Sequence, residues 1–319
     1  MNLLVTGGCG FIGSHFIDEM LKRDNVYSIV NVDNMSYAAN KQLSFSNNER
    51  YHHYSLDISK NPIDFLLKSY HITDIVHFAA ESHVDNSIND SDPFIQTNIV
   101  GTHKLLTDCL KYSKTTNIRF IHVSTDEVFG SLDYTDERFT VRSPYRPNSP
   151  YAASKAASDL LVRSFVRTHR FPAIITNCSN NFGPRQHKEK MIPTCIRNLR
   201  NKTPIPLYGT GTNIRDWIYV KDHVNMLVKI LYQGTIGKQY LIGGDNEMTN
   251  IQLITAIKEQ YSLLTGIDVD WTWVKYVNDR KGHDLRYAID NTDLIAEFGD
   301  LNYNNFTNAL KQTILSYIS

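Results

Sequence analysis

Cysteine is scarce in this 319-residue chain: Cys9, Cys109, Cys178 and Cys195 are scattered, with no CxxC spacing. That scatter excludes a thiolate zinc site and a disulfide framework, and predicts thiols that fill core in a reducing compartment. Excess charge is missing too. Lys+Arg and Asp+Glu are both 33, so no bulk field draws nucleic acid or a membrane surface, and any anion site must be built from local residues. No apolar run approaches a membrane span, and residues 2–5 read as a strand that leaves no room for a signal peptide. Internal repeats and low-complexity tracts are absent. The expected address is cytoplasmic, and the length suits one large α/β domain or two modest ones.

What is present begins with strand, glycine turn and helix. Gly7, Gly10 and Gly13 form GxxGxxG directly after the first apolar run and ahead of a helical pattern through Phe16, Ile17, Met20 and Leu21. Missing side chains there allow a tight turn, close approach of backbone amides to a pyrophosphate, and helix packed on strand. A second apolar strand, residues 28–32, ends in Asp33, about 20 residues past the last glycine, where a carboxylate hydrogen-bonds a ribose diol and repels a 2′-phosphate. The expected cofactor is NAD. Strands and helices then alternate through a segment ending in Leu56-Asp57-Ile58, a helix near residues 62–70 and a strand over 74–80, a rhythm that predicts a parallel sheet with right-handed crossovers. Small Ala79 and Ala80 would let a cofactor lie against that strand end, and Asp57 could reach an adenine.

The densest chemistry sits at Ser124-Thr125-Asp126-Glu127, where an apolar strand over 118–123 gives way to polar residues. Two adjacent carboxyls that ionise differently can supply a general acid and a general base to one site. A helix start is expected at Asp92, as cap, and Pro93, running toward Tyr112 with Thr97 and Asn98 polar within it. Residues 131–149 read as a surface excursion, a possible lid. The next helix, from Ser149-Pro150 to about Thr168, carries Tyr151 and Lys155 four apart on one face, where an ammonium favours the phenolate. A strand over 173–177 leads to Ser179-Asn180-Asn181. Beyond it Lys190, Arg215, Arg280 and His283 are cations and a histidine able to converge on a diphosphate.

Together, GxxGxxG, Ser124-Thr125 and Tyr151-xxx-Lys155 resemble the extended short-chain dehydrogenase/reductase superfamily. Ala79-Ala80-Glu81-Ser82-His83-Val84-Asp85, Ser124-Thr125-Asp126-Glu127-Val128, Pro150 to Ala156, Thr176 to Asn181, Arg215-Asp216-Trp217 and Gly282-His283-Asp284 resemble, more closely, the nucleotide-sugar 4,6-dehydratases, in particular those acting on dTDP-glucose. The likeness implies a Rossmann-type doubly wound parallel sheet over residues 1–184, with 214–243 returning to it, and a smaller mixed α/β sugar-nucleotide domain over 185–319, interleaved with the first. It implies catalysis by Thr125, Asp126, Glu127, Tyr151 and Lys155 without a metal. NAD would meet Gly7, Gly10, Phe11, Ile12, Gly13, Asp33, Asn34, Asp57, Ile58, Ala79, Ala80, Thr97, Tyr151, Lys155 and Asn181. The sugar nucleotide would meet His83, Thr125, Asn180, Lys190, Met191, Pro206, Tyr208, Arg215, Asn250, Arg280 and His283. A homodimer would form through a four-helix interface of the 92–112 and 151–168 helices. The chain departs from the family at Arg185-Gln186-His187-Lys188, at Phe129 for a usual Tyr and at Lys281 for a usual Pro, near the expected nucleotide end; thymine and uracil both stay open. Rival readings are a sugar-nucleotide 4-epimerase or decarboxylase, disfavoured by Asp126 with Glu127, and a silent NAD-binding sensor, which would be expected to have lost Tyr151, Lys155 or the carboxyls.

Overall fold

The computed structural model describes residues 1–318. By the density of its own contacts the chain divides into two compact units: 1–128 with 149–177 and 224–240, and 129–148 with 178–223 and 241 onward.

The main sheet has seven strands: β1 (Asn2–Thr6), β2 (Ser28–Asp33), β3 (Tyr51–Ser55), β4 (Asp74–His77), β5 (Arg119–Thr125), β6 (Ala173–Cys178) and, later in the chain, Gln239–Ile242. Their order is β3-β2-β1-β4-β5-β6 followed by that last strand, and β1 pairs in parallel with both β2 and β4. The order therefore reverses between β1 and β4, the switch point at which such sheets receive ligands. Strands β1, β2 and β6 are buried almost end to end, as in a sheet covered on both faces, with the polar Thr6, Asn31, Thr176 and Asn177 buried among their apolar residues. Phe120 of β5 is fully buried and meets Phe171 with ring centroids 5.6 Å apart. Truncating such a ring to Ala costs about 3–5 kcal/mol.

The strand expected over 74–80 stops at His77, although Phe78 N still donates to Thr6 O at 3.0 Å. β5 runs two residues further than expected, so Thr125 is its last residue and Asp126–Phe129 form a tight 3-10 turn. The helix placed from Asp92 begins with Asp92 already helical, Ser91 in the cap position and Asp90 Oδ1 accepting from Asp92 N. It is not one regular helix: residues Ile95–Gly101 widen into a π-helix before Thr102–Ser113 continues as α.

In the second unit a three-stranded mixed sheet, order Glu247–Thr249, Ile214–Tyr219, Asn180–Phe182, stands beside a parallel pair, Ile205–Tyr208 with Val274–Val277. The 131–149 excursion is strapped to this unit. Leu132 N donates to Arg286 O, Phe139 N to Ala288 O, and Asp290 N to Phe139 O. Arg286 and Arg138 both pair with Glu247.

Candidate functional site

The glycine turn is built at the switch point. Gly7 has φ +71, and a Cβ there would sit 2.6 Å from Ala79 N, while one on Gly13 would sit 2.4 Å from Gly7 O. Only glycine leaves the backbone open at these positions, which fits a turn laid against a pyrophosphate. Two polar side chains hold it: Asn31 Oδ1 accepts from Gly8 N at 2.9 Å, and Asp33 Oδ2 from Cys9 N at 2.8 Å. Asp33 is buried at the end of β2, its other oxygen accepting from Met35 N. Asn34 Oδ1 accepts from Ser36 N. The Asp57 carboxylate closes its own turn on Ser59 and pairs with Lys60, and these partners hold it below the usual carboxylate range against a burial that would raise it. Ile58 is core, packed where Gly101 allows it. Phe11, Ile12 and Thr97 are half-buried, as are Ala79 and Ala80.

The reaction centre predicted from sequence lies at the carboxyl end of β5 and on the helix Pro150–His169. Ser149 caps that helix, its Oγ accepting from Ala152 N at 3.1 Å, and Pro150 occupies the first turn where no N–H is needed. Tyr151 and Lys155 follow on the buried side, and Lys155 Nζ donates to Val123 O at 2.9 Å, which ties the helix to β5 just ahead of the polar cluster. Thr125 Oγ1 reaches both neighbours, donating to Asp126 Oδ1 and accepting from Glu127 N, each at 3.3 Å. Asp126 is 1 % exposed and Glu127 is half-buried. The two carboxyls thus occupy different environments, the condition for one to hold a proton while the other is ionised.

Behind these residues runs a buried polar layer that sequence reasoning missed. On neighbouring rungs of β1, β4 and β5 lie Thr6, His77 and His122. His77 is hydrogen-bonded to Thr6 Oγ1 (2.6 Å) and Thr102 Oγ1 (2.9 Å), and its ring lies 5.3 Å from that of His122. Burial holds both imidazoles below the usual histidine range, and Lys155 adds to it. His122 Nε2 is 3.0 Å from Asp159 Oδ1. Asn98, in the π-helix, bonds both Glu81 N and Glu81 O and donates to Ser154 Oγ. The signal was present: polar residues inside otherwise apolar strands.

Of the expected substrate residues, His83 lies in the first unit, where its ring accepts from Asn86 N as a helix cap. The second unit assembles others. The Arg215 guanidinium stacks on Tyr287 at 4.3 Å and donates to Asp284 O, and the Arg280 guanidinium lies 5.6 Å from the Tyr208 ring. His283 is held below its ordinary range by burial, and both arginines add to this while Asp279 opposes it. Asn250 is buried, its N–H on Asn213 O, and Lys190 stands at the residue before the helix Met191–Arg200. Pro206 and Tyr208 stand on the edge pair, Tyr208 exposed. Asn180 and Asn181 open the strand Asn180–Phe182, with His223 Nδ1 2.9 Å from Asn181 Oδ1. The segment that departs from the family is bonded in this unit: Gln186 Nε2 donates to Asn181 O, and Tyr317 OH to Gln186 O. Among the described residues no cluster of three or more His, Cys, Asp or Glu is placed to hold a metal ion.

The family model described as GDP-mannose 4,6 dehydratase matches residues 4–313. A dTDP-glucose 4,6-dehydratase of Haemophilus influenzae is 42% identical over 100% of this chain and 98% of its own length. The crystal structure of a dTDP-glucose 4,6-dehydratase from Streptomyces venezuelae with NAD and TYD bound is 40% identical, covers 99% of this chain and 97% of that one, and superposes with a TM-score of 0.92. Another, from Bacillus anthracis in complex with NAD, is 38% identical, with a TM-score of 0.88 and coverage of 99% and 96%.

Proposed function

This chain belongs to the dTDP-glucose 4,6-dehydratase family, and from that we infer that it converts dTDP-glucose to dTDP-4-keto-6-deoxyglucose. NAD, held by the glycine turn and Asp33, supplies the chemistry of taking a hydride from C4 and returning one to C6. The residues of the chain manage protons. Tyr151, beside Lys155 on one helical face and with Thr125, removes the 4-hydroxyl proton. The ketone so formed acidifies C5. Glu127, the less buried carboxyl, takes the C5 proton, and Asp126, whose burial disfavours charge, protonates the departing 6-hydroxyl. The observation that carries this reading is the pair itself: two adjacent carboxyls, unequal in burial, at a turn where Thr125 Oγ1 donates to Asp126 Oδ1 and accepts from the backbone N–H of Glu127.

Arg215, Arg280, His283 and Lys190 hold the diphosphate, Pro206 and Tyr208 the base, and His83, Asn180, Met191 and Asn250 the rest of the sugar nucleotide. The electrostatic influence of Arg215 and Arg280 on His283 supports this, because it places three groups able to meet a dianion in one another's field. The NAD domain is assigned to the first unit and the sugar-nucleotide domain to the second; the bounds of these units depart from 1–184 with 214–243 and from 185–319 at 129–148, 178–184, 214–223 and 241–243. We place the protein in the cytoplasm; no helix among the described residues is long and apolar enough to cross a membrane. A homodimer through the 92–112 and 151–168 helices is supported by Ile95 and Leu160, both exposed; a monomeric mass in sedimentation equilibrium would end that part.

The deciding experiment is a single turnover with dTDP-glucose, following the absorbance of reduced nicotinamide. In Asp126→Asn the absorbance should rise at close to the normal rate and decay at least 100-fold more slowly. Equal slowing of both phases removes Asp126 as the acid. A parallel assay with UDP-glucose should show at least tenfold lower kcat/KM.

A further inference from the structure

Asn177 ends the apolar part of β6, fully buried, and no role in the reaction has been assigned to it above. Its amide makes three bonds. Nδ2 donates to the Thr125 carbonyl at 3.0 Å and to Asp159 Oδ2 at 3.0 Å, and Oδ1 accepts from Gln239 Nε2 at 2.8 Å. A carbonyl and a carboxylate only accept, so the NH2 group must face them, and Gln239 fixes the opposite edge; the amide has one orientation. Thr125 O belongs to the peptide bond that carries Asp126. Asp159 lies one turn beyond Lys155 on the helix that also carries Tyr151, and is tied in turn to His122. One side-chain amide therefore joins the element bearing the base to the strand end bearing the acid.

We propose that Asn177, oriented by Gln239 and anchored by Asp159, is a positioning residue for the elimination step, holding the Thr125–Asp126 peptide so that the Asp126 carboxyl stays aimed at the departing hydroxyl. Lys155 already secures β5 at Val123 O, two residues earlier. Asn177 secures the residue at which the chain turns out of the strand into Asp126–Phe129. Without it the peptide carrying Asp126 is held only by the short turn that begins there, and small misplacement of a reacting group is enough to cost orders of magnitude in rate. The proposal rests on Asp126 being the acid.

The test uses NAD-loaded Asn177→Ala and Gln239→Met beside Asp126→Asn, each in a single turnover with dTDP-glucose. For Asn177→Ala the rise of reduced-nicotinamide absorbance should stay within about threefold of the unaltered protein while its decay slows at least tenfold, and Gln239→Met should show the same selectivity at smaller amplitude. Amide exchange in residues 125–128 should quicken in both. If both phases slow equally in Asn177→Ala, or neither does, while Asp126→Asn remains selective, the positioning role is wrong and the acid assignment survives. If Asp126→Asn loses selectivity, the acid assignment fails first and this proposal with it. Should Asn177→Ala not fold, Gln239→Met decides alone by the same selectivity.

Discussion

At the scale of single residues, the glycine turn shows how little latitude the cofactor site has. A methyl group on Gly13 would stand 2.4 Å from Gly7 O and 3.0 Å from Gly8 Cα, both backbone atoms that cannot rotate away. Gly13→Ala must therefore displace the turn, at about 1–3 kcal/mol for overpacking. The protein should still fold, but should lose NAD affinity by 100-fold or more; fluorescence titration with NAD measures this, and retention of cofactor through purification would contradict it. The Asp126–Glu127 pair makes a different point. Both are carboxyls, adjacent in sequence, and the roles proposed for them divide because one is sealed and the other half-open.

Among elements, the helix Pro150–His169 carries two of the proposed catalytic residues, and its first turn sets the place of Tyr151. Ser149 supplies the cap, and Tyr151 N donates to Ser87 Oγ at 3.2 Å. Ser149→Ala should cost about 1 kcal/mol, a fall in melting temperature of about 1–2 °C by calorimetry. Because the loosened turn carries Tyr151, kcat should fall more than KM rises; an unchanged kcat would show that the cap serves stability alone. The π-helix Ile95–Gly101 is the second element of note. Its widened turn places Asn98 where it bonds the Glu81 backbone and Ser154 together, a job a regular solvated helix face would not do.

For the whole molecule, buried histidines shape the response to acid. His223 is fully buried and pushed down to about 3 by loss of solvent, and His77 and His122 are lowered for the same reason. Unfolding restores an ordinary value near 6.5, so between pH 6.5 and 3 the unfolded chain binds the extra proton and stability falls as pH falls. For His223 alone the loss from pH 7 to pH 5 is about 2 kcal/mol by linkage. Asp216 acts oppositely: burial raises it to about 6, so its contribution grows as pH falls from 6 toward 4. Asp74 and Asp222 are raised by burial as well, and His283 is lowered, so four histidines stand against three aspartates. Because the histidines titrate in the unfolded chain within this range, the urea midpoint should drop between pH 7 and pH 5, and His223→Gln should flatten that slope. An unchanged slope in the variant would show that His223 does not stay neutral in the folded protein.

The residues themselves determined the strand, turn and helix at Gly7 to Gly13, the Asp33 terminus, the adjacency of Asp126 to Glu127 and the helical spacing of Tyr151 to Lys155, because these depend on local backbone geometry and on neighbours within four positions. Strand ends were off by a few residues, as at His77 and Thr125, since where a strand stops depends on its neighbours' length. Only tertiary structure decided that Asn98, His77, His122, Asp159 and Asn177 form a buried polar layer behind the reaction centre. Their partners lie up to 71 positions away in sequence, and a polar residue reads alike from sequence whether water or another side chain will satisfy it.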